Sequence, residues 1–154
     1  MLDVIEHLKD PAAALCHALD LLTPDGTLLA TVPAFMSLWT NHDVVNHHFV
    51  RYTKATFRTV AQRAGLRIRE QHYLYHWLFP AKLSIRLLEH TVPSEPVPAG
   101  IPPSWLNTIL YWLSRFEQRT VSHFPMPFGS SLMVVGSKAF LESGVSAAAS
   151  RRFS

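Results

Sequence analysis

The chain has 154 residues, 48% hydrophobic and 16% charged, with a formal net charge of +3. That balance supports one domain with a real core and excludes disorder over most of the length. Lys and Arg are scattered rather than striped, so no nucleic-acid footprint is visible, and the single cysteine, Cys16, excludes a disulfide framework or a thiolate metal cluster.

Taken in chain order, Met1–Pro11 reads as the last residues of a buried strand running into a helix start. Asp10 is a good helix N-cap and Pro11 suits the first helical position, where its missing N–H costs nothing. The helix predicted over Pro11–Leu22 ends in the turn Thr23-Pro24-Asp25-Gly26. Thr27–Val32 is a nearly continuous apolar run, the pattern of a strand covered on both faces. Pro33 to Tyr52 reads as irregular and polar, with aromatics interleaved. Thr53 then caps a helix through Ala64, with Phe57, Val60, Ala61 and Ala64 on one stripe and Gly65 at its end.

Leu66–Leu74 alternates like a half-exposed strand. Two amphipathic helical segments follow, Phe79–His90 and Ser104–Val121, joined by a proline-rich linker over Pro93–Pro103 that cannot be helical. On the second, Trp105, Ile109, Trp112, Leu113 and Phe116 form a stripe, which usually marks core; two such helices could also shape an apolar pocket or settle at a lipid interface. Leu132–Gly136 is the final predicted strand, and 141–154 reads as a frayed, disordered tail.

Two motifs carry a resemblance. Asp3-Val4-Ile5-Glu6-His7 with Asp10-Pro11, and Leu22-Thr23-Pro24-Asp25-Gly26-Thr27-Leu28 with Pro33, resemble the middle of class I S-adenosylmethionine (SAM)-dependent methyltransferases. The branch is similar to ubiquinone-pathway O-methyltransferases. The resemblance implies an α/β fold: the C-terminal half of a Rossmann-like, seven-stranded, mostly parallel sheet whose last strand is antiparallel. It also implies a helical insertion, residues 76–125 of a partial domain spanning 1–140, ahead of the last strand. In such a fold the opening lies at the carboxyl end of a strand, beside the crevice where ligands bind. The resemblance therefore places Leu2, Asp3 and His7 on the cofactor side, with SAM as the cofactor. Glu6 and His7 match the family's E-H pair, whose bland role is to hold the turn through side-chain-to-backbone bonds. None of the glycines is spaced as G-x-G, the loop that lets backbone approach the cofactor, so the chain is expected to lack the SAM-gripping half and to be inactive alone.

Leu38-Trp39-Thr40-Asn41-His42-Asp43, followed by His48 and Arg51-Tyr52-Thr53, resembles a subgroup pattern of methyltransferases encoded near sugar- and lipid-modifying enzymes. Val50 stands where that pattern has the first arginine of R-R-Y. A histidine near neutral pH is a natural proton acceptor for a hydroxyl or amine, so His48 or His42 is the candidate base, with Asp43 as its orienter. Two other readings stay open: Asp43, Arg51 and Tyr52 tie down a loop, or His42, Asp43, His47 and His48 hold a divalent metal. No spacing in that run puts two ligands on one helical face, and no metal is predicted.

The expected activity is methyl transfer to a small-molecule, sugar or lipid acceptor. The alternatives are an inactive methyltransferase-like scaffold and a membrane-surface binding module. No apolar run reaches about 18 residues, and no basic-then-apolar leader pattern is present, so a cytoplasmic setting with possible peripheral membrane contact is expected.

Overall fold

The computed structural model describes residues 1–91, 100, 102–120 and 124–139. The elements are α1 (Pro11–Asp20), β1 (Thr27–Pro33), α2 (Asn41–Val45), α3 (Lys54–Ala64), β2 (Leu66–Leu74), α4 (Leu78–Thr91), α5 (Ser104–Arg119) and β3 (Ser131–Lys138). Short 3-10 turns occupy Ile5–His7 and Met36–Leu38. The predicted tail and most of the predicted linker lie outside the described residues.

The sheet has the order β1-β3-β2, and β3 runs antiparallel to both neighbours, so β1 and β2 are parallel to each other. Leu2 adds a single parallel bridge to Thr31 on the outer side of β1. Met1 O accepts from Thr31 N at 2.9 Å, and Asp3 N donates to Thr31 O at 3.0 Å. The opening is therefore a bridge and not a buried strand: the Leu2 side chain is exposed, and no further strand borders it among the described residues.

Local chemistry sets most element ends. Asp10 caps α1 by accepting from Ala13 N at 3.1 Å, and Ala12, Leu15 and Leu19 bury one helical stripe. At α3, Thr53 Oγ1 accepts from Thr56 N at 3.2 Å and Thr56 Oγ1 accepts from Thr53 N at 2.8 Å, a reciprocal cap. Gly65 ends that helix with φ 74°, in the left-handed region that glycine reaches without strain. Gly136 meets a second demand: a Cβ there would fall 2.7 Å from Leu66 Cδ1 and 2.8 Å from Arg67 O, so only glycine lets β2 pair so closely.

One core joins the sheet to α1 and α3. Leu28, Ala30 and Val32 of β1 meet Leu15 and Leu19 of α1, Phe57 and Ala61 of α3, and Leu132 and Val134 of β3. β1 alternates instead of being covered on both faces, because the helical layer lies over one face only and Leu29, on the other, stays 44% exposed. In β2 the register slips between Ile68 and Glu70. That bulge switches the phase of the strand, so Leu66 at one end and Tyr73 at the other are both buried.

Two further expectations are corrected. The stretch from Pro33 to Tyr52 holds the helix α2, whose first turn is secured by Thr40 N donating to Asp43 Oδ2 at 2.9 Å. The stripe on α5 is not core: Trp105, Ile109, Trp112, Leu113 and Phe116 are all exposed, and the residue that α5 buries is Glu117. Its partner is His76, whose Nδ1 lies 2.9 Å from Glu117 Oε1 in a buried pair linking α5 to the β2–α4 corner. An isolated helix keeps a polar contact buried only when both partners are supplied, and here the chain supplies them.

Candidate functional site

The site is assembled around Asp43, fully buried at the third position of α2. Its carboxylate accepts from Arg51 Nε at 2.8 Å and Arg51 Nη2 at 2.9 Å, a two-pronged pair that suits the planar guanidinium. Arg51 also donates through Nη1 to Ala34 O at 3.1 Å, so the pair fastens α2 to the end of β1. Burial alone would raise the Asp43 pKa. The bonds from Arg51, Thr40 N and His48, with the Arg51 charge, outweigh it and hold the carboxyl below its usual value.

His48 completes the group. His47, with φ 56°, turns the chain sharply after α2, and His48 N donates to Asp43 O at 3.0 Å. His48 Nδ1 then lies 2.8 Å from Asp43 Oδ1. An ionised carboxylate can only accept, so Nδ1 carries the proton and the lone pair resides on Nε2. Phe49 N donates to Glu6 O at 2.7 Å, which pins this loop to the 3-10 turn at the start of the chain. It is thus the backbone of Glu6, rather than its side chain, that ties the two segments.

His48 opens on a cleft of about 230 Å³ lined by Asp3, Glu6, Pro33, His42, Arg51, Lys82 and Ser131 besides itself. Burial, followed by the Arg51 charge, lowers the Lys82 pKa. Burial and the Lys82 cation lower that of His42. Glu6 is 1% exposed, and burial is the main cause of its raised pKa. Its Oε2 has no hydrogen-bond partner, and neither does the buried Tyr52 hydroxyl, whose pKa is pushed up to about 12 by burial and by the Glu6 charge.

The residues singled out from the sequence fare differently. Asp3, His42 and His48 all line the cleft, and Asp43 lies directly behind His48. Asp43 orients His48 and not His42, whose Nε2 lies 2.9 Å from Asn46 Nδ2 on its own helix. His7 is half-exposed beside the cleft, its ring edge-on to that of His48 with centroids 4.6 Å apart. Leu2 is absent from the lining and meets solvent. Val50, at the position of the pattern's first arginine, packs against the core. Tyr52 ties the loop through its backbone, Tyr52 N donating to Pro33 O at 2.8 Å, while its hydroxyl bonds to nothing.

Sequence reasoning missed Lys82, which α4 delivers to the cleft. Arg86 Nη1 donates to Trp39 O, and Glu89 accepts from Asn41 N at 3.1 Å, so α4 is anchored along the edge of the α2 loop. The available signal was the spacing Lys82, Arg86, Glu89, which puts three polar side chains on one helical face.

Residues 1–71 match the family described as a methyltransferase domain. No curated protein matches the chain. Among solved structures, a chain from the complex between the Haloferax volcanii Trm112 methyltransferase activator and its proposed methyltransferase partner is similar at 19% identity, with a TM-score of 0.46. That likeness covers 89% of this chain and 51% of the other, so the chain spans about half the length of the structure it matches. The segment that builds the Asp43–Arg51–His48 group therefore lies within the part of the chain that matches a methyltransferase domain.

Proposed function

We propose that the chain is the acceptor-binding half of a class I SAM-dependent methyltransferase of the Rossmann-like type, with residues 76–125 forming a cap over the acceptor. The observation that carries this reading is the Asp43-oriented His48, which belongs to the methyltransferase-matching segment and faces the cleft. The sheet supports it as well: an antiparallel last strand separates two mutually parallel ones, and Leu2 bridges β1 in parallel.

In this reading Asp3 and His7 stand toward the cofactor, and His48 Nε2 takes the proton of an acceptor hydroxyl or amine as the methyl group moves in line from sulfur to that atom. Most of the rate comes from alignment in the cleft, and proton removal adds to it. In this reading the grip on SAM needs a Gly-rich loop, and no glycines of this sequence are spaced as G-x-G. Radiolabelled methyl transfer from SAM tests the proposal, comparing this chain with the product of the whole reading frame read upstream of Met1. Transfer by the longer product and none by the chain is expected. Micromolar SAM binding by the chain alone would overturn the division of labour, and a longer product that neither binds SAM nor transfers methyl would overturn the function.

A second reading has its own observation. Trp105, Ile109, Trp112 and Phe116 form an exposed apolar face on α5, with Arg115 and Arg119 on the same helix. Such a face suits peripheral contact with an anionic lipid surface, and no helix among the described residues is long and apolar enough to cross a membrane. Flotation with anionic vesicles, lost in Trp105→Ala/Trp112→Ala, is the expected result; no flotation rejects it.

A further inference from the structure

The acid–base reading leaves one cation of the cleft without a task. Lys82 reaches the cleft from α4, and that helix is held in place: Arg86 donates to Trp39 O, and Glu89 accepts from Asn41 N at 3.1 Å. Lys82 is partly buried, and no described residue forms a hydrogen bond or an ion pair with its ammonium. Arg51, the other cation there, is already neutralised by Asp43 through bonds of 2.8 and 2.9 Å, and its Nη1 donates to Ala34 O at 3.1 Å. The charge that acts most strongly on Lys82 is that of Arg51, which repels it. A cation withdrawn from water beside another cation, with no bonded anion, is costly unless a negative group arrives.

Size and polarity narrow the partner. The cleft measures about 230 Å³, room for about eight water molecules at roughly 30 Å³ each. Among the described residues that line it, Pro33 alone is apolar. An acceptor group held there is small and polar, and any apolar body it carries stays outside.

We infer that Lys82 sets the specificity of the acceptor site, and that the acceptor carries a singly charged carboxylate beside the hydroxyl or amine that is methylated. The inference rests on the acceptor-site reading of this cleft. The Lys82 ammonium binds the carboxylate, and the neighbouring hydroxyl or amine meets His48 Nε2, since both side chains line the same small space and His48 Nδ1 is held by Asp43 at 2.8 Å. The transfer balances as before: the acceptor's electron pair forms the new bond to the methyl carbon, the carbon–sulfur pair returns to sulfur, and the acceptor proton passes to His48. Charge decides between a carboxylate and a phosphate. With Arg51 and Asp43 cancelling, Lys82 offers one uncompensated positive charge, and the Asp3 carboxylate lines the cleft as well. A phosphate near its dianionic state would bring negative charge in excess of that cation beside Asp3, whereas a carboxylate matches it. Lysine also meets its anion as a point charge, without the fork that favours two-pronged recognition.

The test titrates glycolate, a two-carbon hydroxycarboxylate, into the chain at constant ionic strength and follows the His48 ring signals by NMR. Saturable shifts are expected for the parent and for Lys82→Arg, with binding at least about tenfold weaker in Lys82→Met, the loss of one contact to a charged group. Lys82→Gln is the second neutral variant should Lys82→Met fail to fold. Lys9→Met, which removes an exposed lysine that does not line the cleft, should bind as the parent does. Ethylene glycol keeps the hydroxyl but lacks the charge and should not bind; inorganic phosphate should bind more weakly than glycolate. No saturable shift with glycolate, equal affinity in the neutral Lys82 variants, or tighter binding of phosphate would overturn the inference. Binding is read without SAM or turnover, so a longer product that transfers no methyl would overturn the function alone, and absent glycolate binding the carboxylate assignment alone.

Discussion

Asp43→Ala is the perturbation whose size follows most directly from the structure. The carboxylate is fully buried and bonded to Arg51 Nε, Arg51 Nη2, His48 Nδ1 and Thr40 N. Removing it leaves the Arg51 guanidinium, 2% exposed, without its anion. Breaking one side of a buried ion pair costs about 3–5 kcal/mol, because the remaining charge is uncompensated. For a chain of this size that is a fall in Tm of roughly 10 °C or more. Arg51→Met alone should cost a similar amount, and the double variant markedly less than the sum, since removing both partners leaves no orphan charge. Urea and thermal denaturation of all four proteins measure the cycle. A loss below about 1 kcal/mol in Asp43→Ala, or strict additivity, would refute the idea that this pair fastens the site.

Tyr52→Phe should be neutral or stabilising at pH 7, since its buried hydroxyl bonds to nothing. Its pKa is raised to about 12, so the folded state loses stability as pH rises from about 10, the unfolded value, through the folded one. Tyr52→Phe should therefore flatten the alkaline unfolding curve, and an unchanged curve would count against its burial. The Asp43 pKa is lowered, so its contribution is present above the unfolded value near pH 4 and lost as pH falls through the folded one. Acid unfolding should be less steep in Asp43→Ala/Arg51→Met, as monitored by circular dichroism. Glu117→Ala strips His76 of its partner and should speed hydrogen exchange across 104–119, with a cost of about 1–3 kcal/mol; unchanged exchange would show that α5 is held by other contacts.

What was legible in the sequence follows from local chemistry. Asp10-Pro11, Thr53 and Gly65 announce helix ends that the structure keeps, because caps depend on neighbours within one turn. Helix α2 was overlooked although Thr40 and Asp43 carry the spacing of a cap, since its apolar stripe is too short to register. The burial of α5 was misjudged because a periodic stripe says which face is apolar and not whether anything covers it. In the site, His48 with Asp43 could be paired from a motif six residues long. Lys82 and Glu6 could not, because tertiary packing alone brings α4 and the opening turn to the same cleft.

The most direct test of the account is the methyl-transfer rate of His48→Ala in the product of the whole reading frame. His42→Ala serves as the paired control, since its ring bonds to Asn46 and not to Asp43. A turnover loss of roughly a hundredfold or more is expected for His48→Ala, the size associated with one positioned proton acceptor, with SAM affinity unchanged. His42→Ala should keep most of its activity, and both variants should melt within a few degrees of the parent. Unchanged turnover in a folded His48→Ala protein would contradict the account.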